Sequence, residues 1–217
     1  MGGFKGESLN IAFESGVINL IIAHLIKCSK QMKTDCAEPC NMLQNHEDKI
    51  TNRLVAKYLN TEPNNFRYEI QSPENFDGQT DQYIGRTDIK VISADYFKDS
   101  QSYYIIESKR IDGDDDLNKK YITDGIARFV INPPKYPSYH KQNIMFGYVV
   151  QAIDIPKNTE KIGALQASLL NGVTVNAFIL VQNEDYQSFV YSCGYASEHI
   201  RHIELKHIFY DFADVIQ

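Results

Sequence analysis

The chain has 217 residues, of which 43% are apolar and 23% charged, and it includes 14 Tyr and 11 Phe. That is ordinary globular usage with enough aromatic bulk for a core, so intrinsic disorder is excluded. Lys and Arg total 22 against 28 Asp and Glu, a formal net charge of −6, which argues against a protein that coats nucleic acid indiscriminately. At this length one domain is expected to bury roughly 70% of its unfolded surface.

The most apolar run, GVINLIIAHLI at residues 16–26, is too short to span a bilayer and is interrupted by Asn19 and His24. No basic region leads into it, no small-residue cleavage site follows it, and the opening MGGFKG lacks the hydroxyl residue of a myristoylation signal. The expectation is a soluble cytoplasmic protein without a membrane partner.

Residues 8–27 have the spacing of a helix, and 28–45 read as a polar connector. A second helix is expected over 47–59 with Asn45 as N-cap, ended by Asn60 and Pro63. Strands follow at 66–71, 86–97 and 102–109, the last two forming a hairpin across KDSQ. The acidic loop IDGDDDLN leads to a helix over 119–130, stopped by Asn132, Pro133 and Pro134. A strand at 144–153, a helix at 159–170 and strands at 175–182 and 188–195 complete the pattern, with 203–216 read as a helix or mixed segment. This order predicts an α/β or α+β fold, a mixed sheet flanked by helices.

Cys28, Cys36, Cys40 and His46 raise a zinc site as one possibility, but their spacings are not those of paired C-x2-C knuckles, and free thiols are the other. Asp112 to Asp116 has a calcium-loop look but lacks the terminal Glu of an EF-hand, so a solvated acidic loop is expected.

Three features point to one site. In Ile105-Ile106-Glu107-Ser108-Lys109-Arg110 the alternation of a strand puts Glu107 and Lys109 on one face at the end of an apolar run. Gly85-Arg86-Thr87-Asp88 places Asp88 where a hairpin partner faces Glu107. Two carboxylates converging there are the donors a hard cation takes. Glu47 falls within the helical stripe of Ile50, Leu54 and Tyr58; it is either directed to the site or a first-turn Glu favoured by the helix dipole.

The set Glu47, Asp88 and Glu107-Ser108-Lys109 resembles the PD-(D/E)xK nuclease superfamily, with its restriction-endonuclease-like αβββαβ core. Thr87 stands where many members have Pro, and the Q-x-x-x-Y signature of RecB-like members is absent. The resemblance covers residues 43–152 as the core, leaving 1–42 as an N-terminal helical extension and 153–217 as a C-terminal elaboration of a single domain. It implies a Mg²⁺-dependent endonuclease acting on DNA, with RNA less favoured and Mn²⁺ able to substitute. By the resemblance Asp88, Glu107 and the Ser108 carbonyl bind the metal, Glu47 supports it, and Lys109 activates water. The alternative is a non-catalytic subunit of the same fold in a defence or repair complex.

On the following helix Tyr121, Asp124, Gly125 and Arg128 are expected on the side opposite Ile122, Ile126, Phe129 and Val130. Arg128 then either contacts a phosphate or pairs with Asp124, and Tyr121 is expected to stack on a base or bond a phosphate. The Y-x-x-x-G-x-x-R-F-V pattern resembles helices of bacterial nuclease-like proteins, some of them linked to phage defence. Lys109, Arg110, Lys119, Lys120, Arg128, Lys135, His140 and Lys141 would form a local phosphate track in an otherwise acidic protein, with Arg110 and Lys120 the nearest candidates. Cutting both strands of a duplex with one site per chain is easiest for a two-fold homodimer.

Overall fold

The structure is a computed structural model that describes residues 7–93, 100–200 and 202–217. It is a mixed α/β fold with a large mixed sheet flanked by helices. The first helix, α1 (Glu7–Asp35), runs past the polar connector expected from residue 28. Cys28, Met32 and Cys36 are all buried and carry the stripe of Ile18, Ile21, Ile22 and Leu25 two turns further. Helix α2 (Glu47–Leu54) passes directly into a π-helical turn, Val55–Leu59. Its N-cap is His46 and not Asn45.

Strands β1 (Arg67–Ile70), β4 (Ile89–Ile92) and β5 (Tyr103–Ile111) pair antiparallel, in the order β1-β4-β5. Arg86 does not belong to β4. It ends a separate hairpin formed by β2 (Pro73–Asp77) and β3 (Gln82–Arg86), because the chain breaks direction at Thr87 and Asp88 before β4 begins. Residues 94–97 of the expected strand and the first part of the KDSQ link lie outside the described residues.

From β5 the chain crosses through α3 (Asp115–Lys120), a π-helical turn at Tyr121–Ile126 and α4 (Ala127–Val130) to β6 (Gln142–Val149), which lies parallel to β5. The helix therefore starts within the acidic segment, where Asp115 and Asp116 suit the positive end of its dipole. Helix α5 (Ile155–Leu169) is capped by Asp154, whose carboxylate accepts from the Lys157 amide at 3.0 Å. The strand expected at 175–182 is split into β7 (Val173–Val175) and β8 (Ile179–Glu184), which pair with opposite ends of β9 (Ser188–Ser197).

The largest departure is at the C-terminus. Residues 203–211 form β10 (Ile203–Asp211), a central strand parallel to β6 and antiparallel to β9. Ile203, Leu205, His207 and Phe209 alternate onto one face, and Ile208 and Tyr210 onto the other. The alternation of Ile203, Glu204, Leu205 and Lys206, buried and half-buried in turn, is a strand's period, which the expectation of a helix or mixed segment passed over. Residues 153–217 thus add strands to the sheet itself.

The core has two layers. On one face Tyr104, Ile106, Ile144, Phe146 and Tyr148 pack against α1 and α2. On the other Tyr103, Ile105, Met145, Leu205 and Phe209 pack under α3, α4 and α5. The second layer holds a buried polar chain. Tyr195 donates to Gln166 Oε1 at 2.6 Å, so its oxygen accepts from His207 Nε2 at 3.1 Å, and Tyr121 donates to His207 Nδ1 at 2.9 Å. The two tyrosine hydrogens and the single imidazole hydrogen all have acceptors only with the imidazole neutral; Gln166 Nε2 is left without a partner. Asn118 and Asn158 exchange both amide hydrogen bonds nearby and tie α3 to α5.

Burial pulls the pKa of His207 down to about 3 from an ordinary 6.5. Between those values the unfolded chain takes up a proton that the folded chain refuses, so this contribution to stability is complete above pH 6.5 and is lost as the pH falls toward 3. At 1.36 kcal/mol per unit, a fall to pH 5 is expected to cost about 2 kcal/mol. Urea unfolding at pH 7 and pH 5 measures this, and His207→Gln should show a clearly shallower pH slope; an equal slope in both proteins would refute the assignment.

Candidate active site

Four stretches of chain deliver five side chains to one cluster within the sheet, beside α2 and α4. Strand β5 contributes Glu107 and Lys109. The register of Ile89 with Ile106, continued by one residue, sets Asp88 opposite Glu107. There Asp88 Oδ2 accepts the Ser108 amide at 2.7 Å, closing the ladder with a side chain where a backbone carbonyl would otherwise stand. Helix α2 is anchored to the sheet through Thr51, whose hydroxyl bonds Tyr148 at 3.0 Å; Tyr148 in turn donates to Ser108 Oγ at 3.1 Å. This holds Glu47, on the first turn of α2, over the end of β5.

The four groups meet at the Lys109 ammonium. Nζ lies 2.7 Å from Glu107 Oε1, 2.9 Å from Glu47 Oε1, 3.7 Å from Asp88 Oδ2 and 2.7 Å from the Ser108 carbonyl. The second oxygen of Glu47 accepts the Arg110 amide at 3.2 Å. Glu47 therefore faces the site. Glu107 is fully buried and Lys109 nearly so, whereas Asp88 and Glu47 keep 22% and 29% of their side-chain surface in solvent.

Arg128 of α4 completes the cluster. Its Nε is 3.4 Å from Glu107 Oε1, and Nη1 donates to the Arg86 carbonyl at 3.3 Å and to the hydroxyl of Tyr136. Arg128 thus turns to Glu107 and not to the expected helical partner Asp124. Three carboxylates are matched by two cations. Burial, and after it the Asp88 charge, pushes Glu107 up to about 7; burial also raises Asp88. Burial works against the charge of Lys109, but the carboxylates, Glu107 first, outweigh it and hold the pKa above the ordinary lysine value.

A cleft of about 350 Å³ opens beside this cluster, lined by Glu47, Lys109, Arg110, Lys120, Asp124 and Arg128 among others. Arg110 reaches along its rim to the Asn45 carbonyl and side chain at 3.0 and 2.9 Å. The wider basic track is not continuous: His140 stacks on Tyr104, and Lys141 borders a different cavity.

Tyr121 does not reach the cleft. It is fully buried, bonded to His207 and packed near Phe209, so it cannot stack on a base. The reason is the π-helical turn, in which the Ala127 amide reaches back to Ile122. The extra residue rotates the two halves of the helix relative to a regular 3.6-residue repeat, so Tyr121 and Arg128 no longer share a side. Gly125 is also buried, and a Cβ there would meet Met145 Cε at 2.5 Å. Sequence patterning missed Tyr136, which sits in the Pro-rich loop after α4 where no periodicity marks it.

The cysteines do not converge. Cys28 is buried on α1, Cys36 is buried just past its end and Cys40 is exposed, while Cys36 accepts from Arg53 at 3.3 Å. As the side chains lie, no three His, Cys, Asp or Glu among the described residues are grouped to hold a metal ion; at the cluster above, the ammonium takes the central position. In the acidic loop Asp112 accepts the Asp114 amide at 3.0 Å, a local turn bond. No described helix is long and apolar enough to cross a membrane. The chain matches no protein-family model, no curated protein and no solved structure.

Removing the ammonium leaves Glu107 buried beside two other carboxylates. Lys109→Met is expected to lower stability on the order of 3 kcal/mol, and Lys109→Met combined with Glu107→Gln should recover a large part of it. Denaturant unfolding of the two single variants and the double variant reads the coupling; simply additive costs would show that the pair does not interact.

Proposed function

We propose that the protein is a Mg²⁺-dependent endonuclease of the PD-(D/E)xK, restriction-endonuclease-like kind, hydrolysing phosphodiester bonds in DNA, with RNA the less favoured substrate. The observation that carries this is the convergence of Glu47, Asp88, Glu107 and the Ser108 carbonyl on one point now held by the Lys109 ammonium. The order of elements supports it: a helix bearing Glu47, a strand preceded by Asp88, a strand bearing Glu107 and Lys109, then a helix and a parallel strand.

The donor set fits a hard divalent cation. All the oxygens are carboxylate or carbonyl, and the three acids exceed the two local cations by one charge. Asp88, Glu107 and the Ser108 carbonyl would hold the ion, with Glu47 in support. When bound, Mg²⁺ lowers the pKa of an attacking water and offsets charge on the phosphoryl oxygens. Lys109, beside the same three carboxylates, would supply the group that bonds the water and the phosphate. Arg128 faces the same cleft and offers a guanidinium to a phosphate, while Arg110 and Lys120 stand on its rim for the flanking backbone.

The central position of Lys109, with its charge already satisfied, also suits the second reading: a non-catalytic nucleic-acid-binding subunit of a defence or repair complex.

The test is cleavage of plasmid and labelled oligonucleotide with Mg²⁺ or Mn²⁺, comparing the parent with Asp88→Asn. Asparagine keeps an acceptor for the Ser108 amide and removes one of the crowded negative charges, so folding should be preserved. The expected result is metal-dependent cleavage reduced by about 10²-fold or more in the variant. Equal cleavage in both would sink the site assignment. Nucleic-acid binding with neither cleavage nor stoichiometric Mn²⁺ uptake would favour the second reading.

A further inference from the structure

Glu107 is held on both of its oxygens. Lys109 takes Oε1, and the hydroxyl of Tyr136 lies 2.7 Å from Oε2. Tyr136 is fully buried, and its oxygen also lies 2.6 Å from the Arg86 carbonyl and accepts from Arg128 Nη1. A phenol has one hydrogen to give, and a carboxylate is a stronger acceptor than an amide carbonyl. The hydroxyl therefore serves Glu107, while Arg128 supplies the Arg86 carbonyl with a donor of its own.

The ring that carries this hydroxyl is fixed on two sides. Phe129 packs edge-on at 5.2 Å between centroids. On the other side stands Gly85 of β3, where a Cβ would lie 2.7 Å from the Lys135 carbonyl and 3.1 Å from Tyr136 Cε1. No larger residue lets the hairpin press this closely. Asn75, on the partner strand β2, bonds the Pro134 carbonyl at 2.9 Å. The β2–β3 hairpin thus clasps the loop that carries Tyr136.

We infer that Tyr136 is a positioning residue: its hydroxyl orients the Glu107 carboxylate for a divalent cation, and the seat of Gly85 against its ring sets the hydroxyl. The inference rests on the metal-dependent reading above. Glu107 is fully buried, so loss of the hydroxyl leaves one carboxylate oxygen without this donor in a place water does not reach, and the side chain turns away from Asp88. Partners one bond removed from a metal ligand typically change affinity by roughly 10- to 100-fold.

The experiment compares the full-length parent with Tyr136→Phe and with Tyr103→Phe, which removes another buried tyrosine hydroxyl, the donor to Glu74, at a comparable structural cost. Mn²⁺ binding is measured by calorimetry, and metal-free crystal structures of all three are determined. Mn²⁺ affinity is expected to fall roughly 10- to 100-fold in Tyr136→Phe and to stay at the parent value in Tyr103→Phe, with the Glu107 carboxylate displaced only in the former. Gly85→Ala should weaken Mn²⁺ binding in the same direction as Tyr136→Phe. Parent-like Mn²⁺ affinity in Tyr136→Phe, or equal weakening in both tyrosine variants, would overturn the inference. If the parent binds no Mn²⁺, the metal-dependent reading fails by itself. The crystal structures then decide the remainder: an unmoved Glu107 in Tyr136→Phe overturns the positioning role, and a displaced one sustains it.

Discussion

A buried ammonium organises this site. Lys109 cannot remain charged in a nearly water-free position unless acids surround it, and the acids that do so come from α2, from the start of β4 and from β5 itself. Each of those acids is costly to bury alone. Together with Arg128 they satisfy one another, and the elements carrying them are held in register by that requirement as much as by apolar packing. The surplus of one carboxylate is what makes the cluster more than an internal salt bridge. Burial, and after it the Asp88 charge, keeps Glu107 hard to ionise, and the surplus leaves the site able to accept further positive charge.

The sheet around it explains why the cluster can be rigid. Strand β5 is covered on both faces, with Tyr104 and Ile106 turned toward α1 and α2, and Tyr103 and Ile105 toward α3 and α4. Two buried polar chains cross these layers, and of their members only Gln166 Nε2 lacks a partner. One runs from Thr51 through Tyr148 to Ser108; the other links Tyr121, His207, Tyr195 and Gln166. Such chains fix orientation more than they add stability. The first sets Glu47 over the strand end. The second secures the helix that carries Arg128 to the far strands β9 and β10.

The net charge of −6 bears differently on function once the acids are placed. Glu47, Asp88 and Glu107 are spent on Lys109 and Arg128, and Asp115 and Asp116 stand at a helix start. The cations that remain near the cleft, Arg110 and Lys120, form a short rim. Asp48 and Asp124 line the same cleft, so its rim carries both signs of charge.

The alternation of β5 and the stripe of α2 were sufficient, from sequence alone, to bring Glu107 and Lys109 onto one face and to turn Glu47 inward, because side-chain direction in regular elements follows the local period. The mixed sheet flanked by helices was legible for the same reason. The sequence allowed Asp88 to face Glu107 but did not fix it: a hairpin closed across KDSQ would set Asp88 opposite Ile111, and the observed pairing of Ile92 with Tyr103 decided the register. What only the tertiary structure decided lies where local period does not govern. One residue inserted as a π-turn sent Tyr121 into the core and left Arg128 at the cleft. Pairing with a strand about sixty residues away in sequence placed the segment at 203–211, whose first half alternates like a strand, at the centre of the sheet. Tyr136 entered the site from an irregular loop held by a hairpin. Periodicity reports the direction of a side chain within an element, but contacts between distant elements depend on packing, and packing is not written in any short stretch of chain.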